Sequence, residues 1–294
     1  MSAFRVTHSG LLQGLLRDVQ AALRGVEEAQ RAASTGKRVR QVSDDPPAAA
    51  AILETAHLLR AVEQYRRNAS MVAAHLASEE SALTQLDALL ARAREIAVQQ
   101  ANSTATAASR ESAKEEVSRL IESVSDLGNT RLAGGYLFGG TTPDVPPFSA
   151  PGDLTGGNTL SRSIEIAPGQ YLRLSANAAE VFQDTGVLAA LDQLVAALDA
   201  GDPAAIAAAA GAIAEASDAL QARIADVGGR TLRLEAVTAN LDELEFNLRV
   251  HRSNLEEADF EAALTALVGR QTALQATLLA ASRMLSFDLT DYLR

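Results

Sequence analysis

The stretch Ser34–Ile52, STGKRVRQVSDDPPAAAAI, decides the fold, since it holds the end of one helix and the start of the next. Asp45 stands directly before Pro46. Aspartate is a preferred N-cap residue, and proline is tolerated at the first helical position. Gly36 suits the end of the preceding helix, and the basic residues after it stand where cations are favoured. The stretch therefore predicts a helix corner formed by Gly36, Asp44, Asp45 and Pro46.

The same charged residues invite a catalytic interpretation, which the local sequence does not support. Two carboxylates in acid–base catalysis need a histidine, metal ligands or another carboxylate nearby, and none is present. Thr35, Gly36 and Lys37 resemble the end of a P-loop, but the first glycine of that pattern is replaced by Arg31. The sequence predicts no enzyme, no metal and no cofactor.

Composition restricts the class of protein. Of 294 residues, 47% are hydrophobic but only 4% are aromatic, and Cys and Trp are absent. This composition is typical of long helices packed along narrow contact lines. The net charge of -11 makes nucleic acid an unfavourable partner. We expect no membrane span and no cleavable signal peptide, because no segment is apolar and long enough.

Apolar residues at alternating spacings of three and four residues predict helices that pack as coiled coils. One helix is predicted from Pro46 or Pro47 to about Gln100, and another follows around 113–127. The N-terminal line of apolar residues that we expect to mediate assembly consists of Leu12, Leu16, Val19, Leu23 and Val26.

The C-terminal part repeats this pattern. Helices are predicted at Val187–Asp199, at Ala204–Val227 with an end at Gly228-Gly229, and beyond 234, with a shift of the apolar phase near Ala258. The C-terminal assembly residues are Phe260, Leu264, Leu267, Leu274, Leu278 and Leu285.

Helical spacing stops in the middle of the chain. Glycine pairs flank Tyr136–Phe138, and short alternating runs at Ile164–Ile166 and Tyr171–Leu174 surround the turn Pro168-Gly169. These features predict a small β-rich insert. Because helical periodicity ends before it and returns after it, we expect the insert to be a separate surface module.

The predicted fold is mainly α, a long antiparallel helical bundle or coiled coil formed by the N- and C-terminal segments, with a small β-rich central insert. The predicted divisions are an N-terminal assembly helix and corner (1–44), the first half of a helical core (45–138), the insert (139–186), the second half of the core (187–250) and a C-terminal assembly helix (251–294).

Several motifs resemble the flagellin superfamily. They are TGKRVRQVSDDPPAAAAI at 35–52, RAREIAVQQ at 92–100, GGYLFGGTTPDVPPF at 134–148, SNLEEADF at 253–260 and QTALQA at 271–276. Asp-Asp-Pro followed by alanines is more similar to the hook-associated members, whereas flagellin usually has Asp-Asp-Ala-Ala-Gly.

The resemblance implies a structural protein of the bacterial flagellum, joining the hook side to the filament as a ring-like homo-oligomer. It implies contacts with the first hook-associated protein and with flagellin, and an export chaperone on the C-terminal helix. It also implies an extracellular place and export without a cleaved signal peptide. Two alternatives stay open: a flagellin-type filament subunit and a cytoplasmic coiled-coil scaffold.

Overall fold

The structure, a computed structural model, describes residues 8–102, 105–156 and 159–292, with side chains described from 13 to 283 within those ranges. Helices dominate, which confirms the predicted fold class. The α-helices of these ranges are α1 His8–Thr35, α2 Pro46–Gln100, α3 Ala107–Gly128, α4 Val187–Ala200, α5 Pro203–Glu256 and α6 Phe260–Tyr292.

The described strands form two-stranded antiparallel hairpins between α3 and α4. They are β1 Arg131–Leu132 with β2 Gly135–Tyr136, β3 Phe148–Ala150 with β4 Asp153–Leu154, and β5 Ser163–Ala167 with β6 Gln170–Arg173. The third hairpin is the one predicted around Pro168-Gly169. The first two were missed, because strands of two or three residues are too short to show alternation.

The chain divides into two compact units, which we call the terminal unit and the middle unit. The terminal unit comprises Met1–Arg60 and Glu245–Arg294, and the middle unit comprises Ala61–Leu244. The terminal unit therefore contains α1, α6, the start of α2 and the end of α5. The middle unit contains the rest of α2 and α5 together with α3, α4 and the hairpins.

The core of the middle unit follows the apolar spacing of α2. Its alternating steps of three and four residues place one side of the helix against the rest of the unit, as the sequence predicts. The buried residues on this line are Ala69, Val72, Leu76, Glu79, Leu83, Leu86, Leu90, Ala93 and Ala97.

The predicted helix end at Gly228-Gly229 is wrong, because α5 passes through both glycines. Each glycine costs about 1 kcal/mol relative to alanine in a helix. Buried contacts on both sides outweigh this cost: Val227 is fully buried and Leu234 is nearly so. Packing therefore overrides local helix propensity here.

The expectation that the insert is a separate module is also wrong, since it shares a core with the helices of the middle unit. Phe138, Phe148 and Phe182 are buried and pack edge to face, with ring centroids 5.5 Å and 5.1 Å apart around Phe182. From α2, Asn68 donates to the Glu165 carbonyl oxygen at 2.7 Å.

A buried ion pair connects α2, α5 and the segment after β6. Glu79 is 1% exposed, and its Oε1 accepts hydrogen bonds from Arg230 Nη2 at 2.9 Å and from the Ala176 amide at 3.1 Å. Arg230 Nε also lies 3.0 Å from Asp226 Oδ2. A buried charge of this kind requires its partner, so the pair fixes where the insert lies on the two helices.

Candidate functional site

Asp45 caps α2 as the sequence predicts. Its Oδ1 accepts a hydrogen bond from the Ala48 amide at 3.1 Å, and its Oδ2 accepts one from Arg38 Nη1 at 2.9 Å. These bonds lower the pKa of the Asp45 carboxyl, with the Ala48 amide as the larger cause. Pro46 takes the first helical position, where no amide hydrogen is needed. The residues at this corner perform a structural task.

Asp44 shapes the loop before this cap. Its Oδ2 accepts hydrogen bonds from the amides of Arg40 and Gln41, both at 3.1 Å. These bonds lower the pKa of the Asp44 carboxyl. At the other end of the loop Gly36 has a φ of +66°, which glycine adopts without strain, and its amide donates to the Ala32 carbonyl oxygen. The corner is therefore closed at both ends by local hydrogen bonds.

The loop is also fixed to α2 by an apolar contact. Val39 is 4% exposed and lies in a small buried cluster with Ala48 and Ala49, against which Ile52 packs. A valine between two arginines gives no periodic signal, so sequence reasoning did not identify this contact. It holds the corner to the first turns of α2.

The corner also pairs with a distant part of the chain. The Arg38 amide donates to the Glu256 carbonyl oxygen at 2.8 Å, and the Ala258 amide donates to the Gly36 carbonyl oxygen at 2.8 Å. These two hydrogen bonds form an isolated antiparallel bridge. We call this bridge, with the residues that form it, the clasp.

Side chains reinforce the clasp. The Lys37 ammonium group forms an ion pair with Glu256, and Arg38 Nη2 donates to the Leu255 carbonyl oxygen at 3.0 Å. Both cations thus lie at the C-terminal end of α5, where the helix dipole favours positive charge. The sequence shows the basic residues but not their partners, which lie more than two hundred residues away.

The phase shift predicted near Ala258 is a helix break. Helix α5 ends at Glu256 and α6 begins at Phe260. Asp259 caps α6, because its Oδ1 accepts hydrogen bonds from the amides of Glu261 at 2.9 Å and Ala262 at 3.2 Å. The chain therefore turns beside the clasp at both the α1–α2 and the α5–α6 junctions.

Helices α1 and α6 pack against each other in the terminal unit. The Gly36 carbonyl oxygen accepts a hydrogen bond from the Ala258 amide, whereas Gly25 lies against the Arg270 side chain. Since partners move in opposite directions along the chain, the two helices are antiparallel. The position that a Cβ of Gly25 would occupy lies 3.3 Å from Arg270 Cδ. Sequence reasoning missed this contact, although a glycine inside a predicted helix could have indicated a close approach.

The predicted assembly residues of α1 divide into two groups. Val19 and Val26 are partly buried, as expected for the side that faces α6. Leu16 is 60% exposed and Leu23 is 45% exposed. Leu12 lies outside the residues whose side chains are described.

The predicted assembly residues of α6 divide into the same two groups. Leu267 and Leu274 are partly buried on the side that faces α1. Phe260, Leu264 and Leu278 are exposed by 60%, 42% and 48% of their surface. Leu285 lies outside the residues whose side chains are described.

Each terminal helix therefore has a second apolar side, which we call its outer stripe. Val268 and Leu279, both more than 60% exposed, belong to the stripe of α6 and were missed because they fall outside a strict heptad spacing. At 100° per residue, each stripe is rotated from its contact side by roughly a quarter to a third of a turn, in the same sense. In an antiparallel pair, this rotation brings both stripes to the same side.

The residues that the structure describes contain no group of three His, Cys, Asp or Glu side chains arranged to hold a metal ion. Among the described helices, none combines the length and the apolar character needed to cross a bilayer. Grooves lie along α2 and α5, one beside Arg94, Val98 and Ile213 and the other beside Ala73, Leu234 and Thr238.

Family models match both ends of the chain. Residues 7–142 match the bacterial flagellin N-terminal helical region, and residues 210–293 match the bacterial flagellin C-terminal helical region. Together the two models cover most of the sequence, including the corner, the clasp and both outer stripes.

Comparison with individual proteins agrees with the match to the two family models. The chain is 25% identical over 282 residues to flagellar hook-associated protein 3 of Escherichia coli K12, covering 87% of this chain and 89% of that protein. Its fold resembles a flagellar hook-associated protein from Vibrio parahaemolyticus at 24% identity and a TM-score of 0.66, covering 73% of this chain and all of that one. Xanthomonas campestris FlgL gives 18% identity and a TM-score of 0.60, covering 67% and 99%.

Proposed function

This chain belongs to the flagellin superfamily, and from that membership we propose that it is a hook-associated structural protein at the junction of hook and filament. A structural role in the bacterial flagellum agrees with the similarity to flagellar hook-associated protein 3 of Escherichia coli K12, since the alignment covers 87% of this chain and 89% of that protein. The proposal includes a ring-like arrangement of copies, no enzymatic activity, and contacts with the first hook-associated protein and with flagellin.

The observation that carries this proposal is the pair of outer stripes on α1 and α6. Full burial of a large apolar side chain contributes roughly 1.5–3 kcal/mol, and about half of each such side chain remains exposed on the stripes. Covering them would therefore contribute on the order of 5–10 kcal/mol before the costs of association. The members with described side chains are Leu16, Leu23, Phe260, Leu264, Val268, Leu278 and Leu279.

The distribution of charge supports assembly through the terminal unit. Residues 1–60 and 245–294 contain 13 basic and 13 acidic residues, whereas 61–244 contain 13 basic and 24 acidic residues. The whole net charge of the chain therefore lies in the middle unit. Copies that meet through their terminal units face no net repulsion there, while the acidic middle unit favours solubility of the free protein.

The route to the flagellum is also part of the proposal. An exposed apolar helix is a liability before assembly, so we expect an export chaperone to cover α6 until secretion. We further propose that export occurs without a cleaved signal peptide and that the protein ends outside the cell. The terminal helices, which depend on packing for stability, would become fully ordered only in the assembled flagellum.

A strain that lacks this protein tests the proposal when it is supplied with variants. Leu264→Asp with Val268→Asp places charge on the outer stripe of α6, and the matched control, Ala262→Asp with Ala273→Asp, places it at exposed positions away from the stripe. We expect the stripe variant to leave hooks without filaments and to release flagellin into the medium, and the control to swim. Normal filaments with the stripe variant would refute the proposal, and filaments in the deletion strain itself would exclude a junction role.

A further inference from the structure

We propose that two contacts act as register pins for the α1/α6 pair: the clasp at one end and Arg270 over Gly25 further along. A register pin is a contact that one helix can make at only one longitudinal position on the other. The inference rests on the proposed function only for its consequence, the alignment of the two outer stripes.

The contact side of the pair needs such pins, because small residues line it and present similar surfaces after a slip of one turn. Distinct large side chains normally fix the alignment of packed helices. Here alanine and glycine together make up most of the buried and partly buried residues on the contact side, among them Ala22, Ala29 and Ala32 on α1 and Ala263 and Ala281 on α6.

The pin formed by Arg270 over Gly25 depends on the absence of a side chain at Gly25. A Cβ at this position would stand 3.3 Å from Cδ and 3.4 Å from Nη1 of Arg270, so the arginine lies across the glycine backbone. Every neighbouring position on the contact side of α1 carries at least a methyl group. Gly14, on the same helix, has nothing within 4 Å of the corresponding position. Arg270 therefore finds its place at Gly25 and not elsewhere on α1.

The clasp, which is the other pin, is formed by backbone hydrogen bonds. The hydrogen bonds between Arg38 and Glu256 and between Ala258 and Gly36 join the segments directly before α6 and directly after α1. Sliding one helix along the other would break both bonds. Because Val39 is buried against α2, the corner itself does not follow such a movement.

The register determines whether the outer stripes meet. Counting nine residues from Gly25 towards the N-terminus of α1, and nine from Arg270 towards the C-terminus of α6, places Leu16 level with Leu279. A slip of one turn displaces the pair by about 5.4 Å. The two leucines would then no longer share one continuous apolar surface.

Disulfide trapping measures the register directly, because the chain contains no cysteine. The in-register reporter is Ala32→Cys with Ala263→Cys, each seven residues from the Gly25–Arg270 contact. The slipped reporter is Ala29→Cys with Ala263→Cys. In the full chain at a concentration that keeps it monomeric, we expect mild oxidation to link the in-register pair several-fold faster. Equal rates for the two reporters would overturn the inference.

Variants then test each pin. Gly25→Leu displaces Arg270 and should lower the ratio of in-register to slipped linkage several-fold, while the matched control Gly14→Leu should leave it unchanged. Arg270→Ala should lower the ratio without adding bulk, so the test does not depend on Gly25→Leu remaining folded. A ratio unaffected by both Gly25→Leu and Arg270→Ala would show that Arg270 is no pin.

Lys37→Ala with Arg38→Ala weakens the clasp and should also lower the ratio. An unchanged ratio would remove the clasp from the account. Linkage in the isolated chain does not depend on any flagellar role, so failure here leaves the proposed function standing. Conversely, a failed motility test leaves the register result standing.

Discussion

Replacing Glu79 by glutamine tests how the insert is held on the helices. Glu79 Oε1 accepts bonds from Arg230 and from the Ala176 amide, and the side chain is almost fully buried. Removing one partner of a buried ion pair costs about 3–5 kcal/mol. Glutamine keeps an acceptor oxygen, and Arg230 keeps Asp226 at 3.0 Å. We therefore expect a loss of about 2–3 kcal/mol, below the full cost of the pair.

Urea unfolding followed by far-ultraviolet circular dichroism measures this loss as a lower midpoint. In thermal unfolding the same loss corresponds to roughly 5–10 °C for a unit of this size. Glu80→Gln is the matched control, because Glu80 is the next residue of α2 and is exposed. An exposed substitution of this kind should stay within about 0.5 kcal/mol of the parent.

The double variant Glu79→Leu with Arg230→Met extends the test. It leaves neither charge of the pair buried, so most of the stability should return. Recovery should be incomplete, because the Ala176 amide loses its acceptor, which costs about 1–3 kcal/mol. If Glu79→Gln costs no more than Glu80→Gln, the ion pair does not hold the insert and the reasoning fails.

Three further predictions concern stability. Phe182→Ala should cost about 3–5 kcal/mol in urea unfolding because it empties the aromatic cluster, while Tyr171→Ala, at an exposed position, should cost little; equal costs would contradict the shared core. Burial first, and then the charge of Arg162, lowers the pKa of His75, so the unfolded chain binds a proton before the folded chain does. Stability should accordingly fall as the pH drops below about 6.5, and His75→Gln should reduce this pH dependence; an identical pH profile would refute the assignment. Asp45→Ala should lower the melting temperature of the terminal unit, whereas Asp45→Asn, which keeps a capping oxygen, should lower it less; equal effects would show that the cap does not matter.

Much of the helical architecture could be predicted from local sequence. The bounds of α2 follow from the cap at Asp45 and Pro46 and from one uninterrupted apolar line. The helix end expected at Gly228-Gly229 was wrong, because buried neighbours compensate for low helix propensity. Periodicity is informative where a helix buries one side, and local breakers mislead where packing is strong.

The candidate site could be predicted only in part. The corner at Asp44 and Asp45 is local and follows from residue types, whereas the clasp joins segments whose pairing no local pattern encodes. The apolar lines of α1 and α6 combined two sides of each helix, because a sequence does not state which apolar residue faces which partner. Val268 and Leu279 were missed because they fall outside a strict heptad spacing.

The central claim is that the terminal helices are completed by assembly, and hydrogen exchange of their backbone amides tests it most directly. Exchange is measured in a verified monomer and in isolated flagella that contain the protein, over residues 13–35 and 260–283. We predict that both segments exchange faster than the middle unit in the monomer, where α1 and α6 pair but their outer stripes are uncovered, and that both segments gain strong protection after assembly. Protection in the monomer equal to that of residues 61–244, unchanged in flagella, would contradict the account.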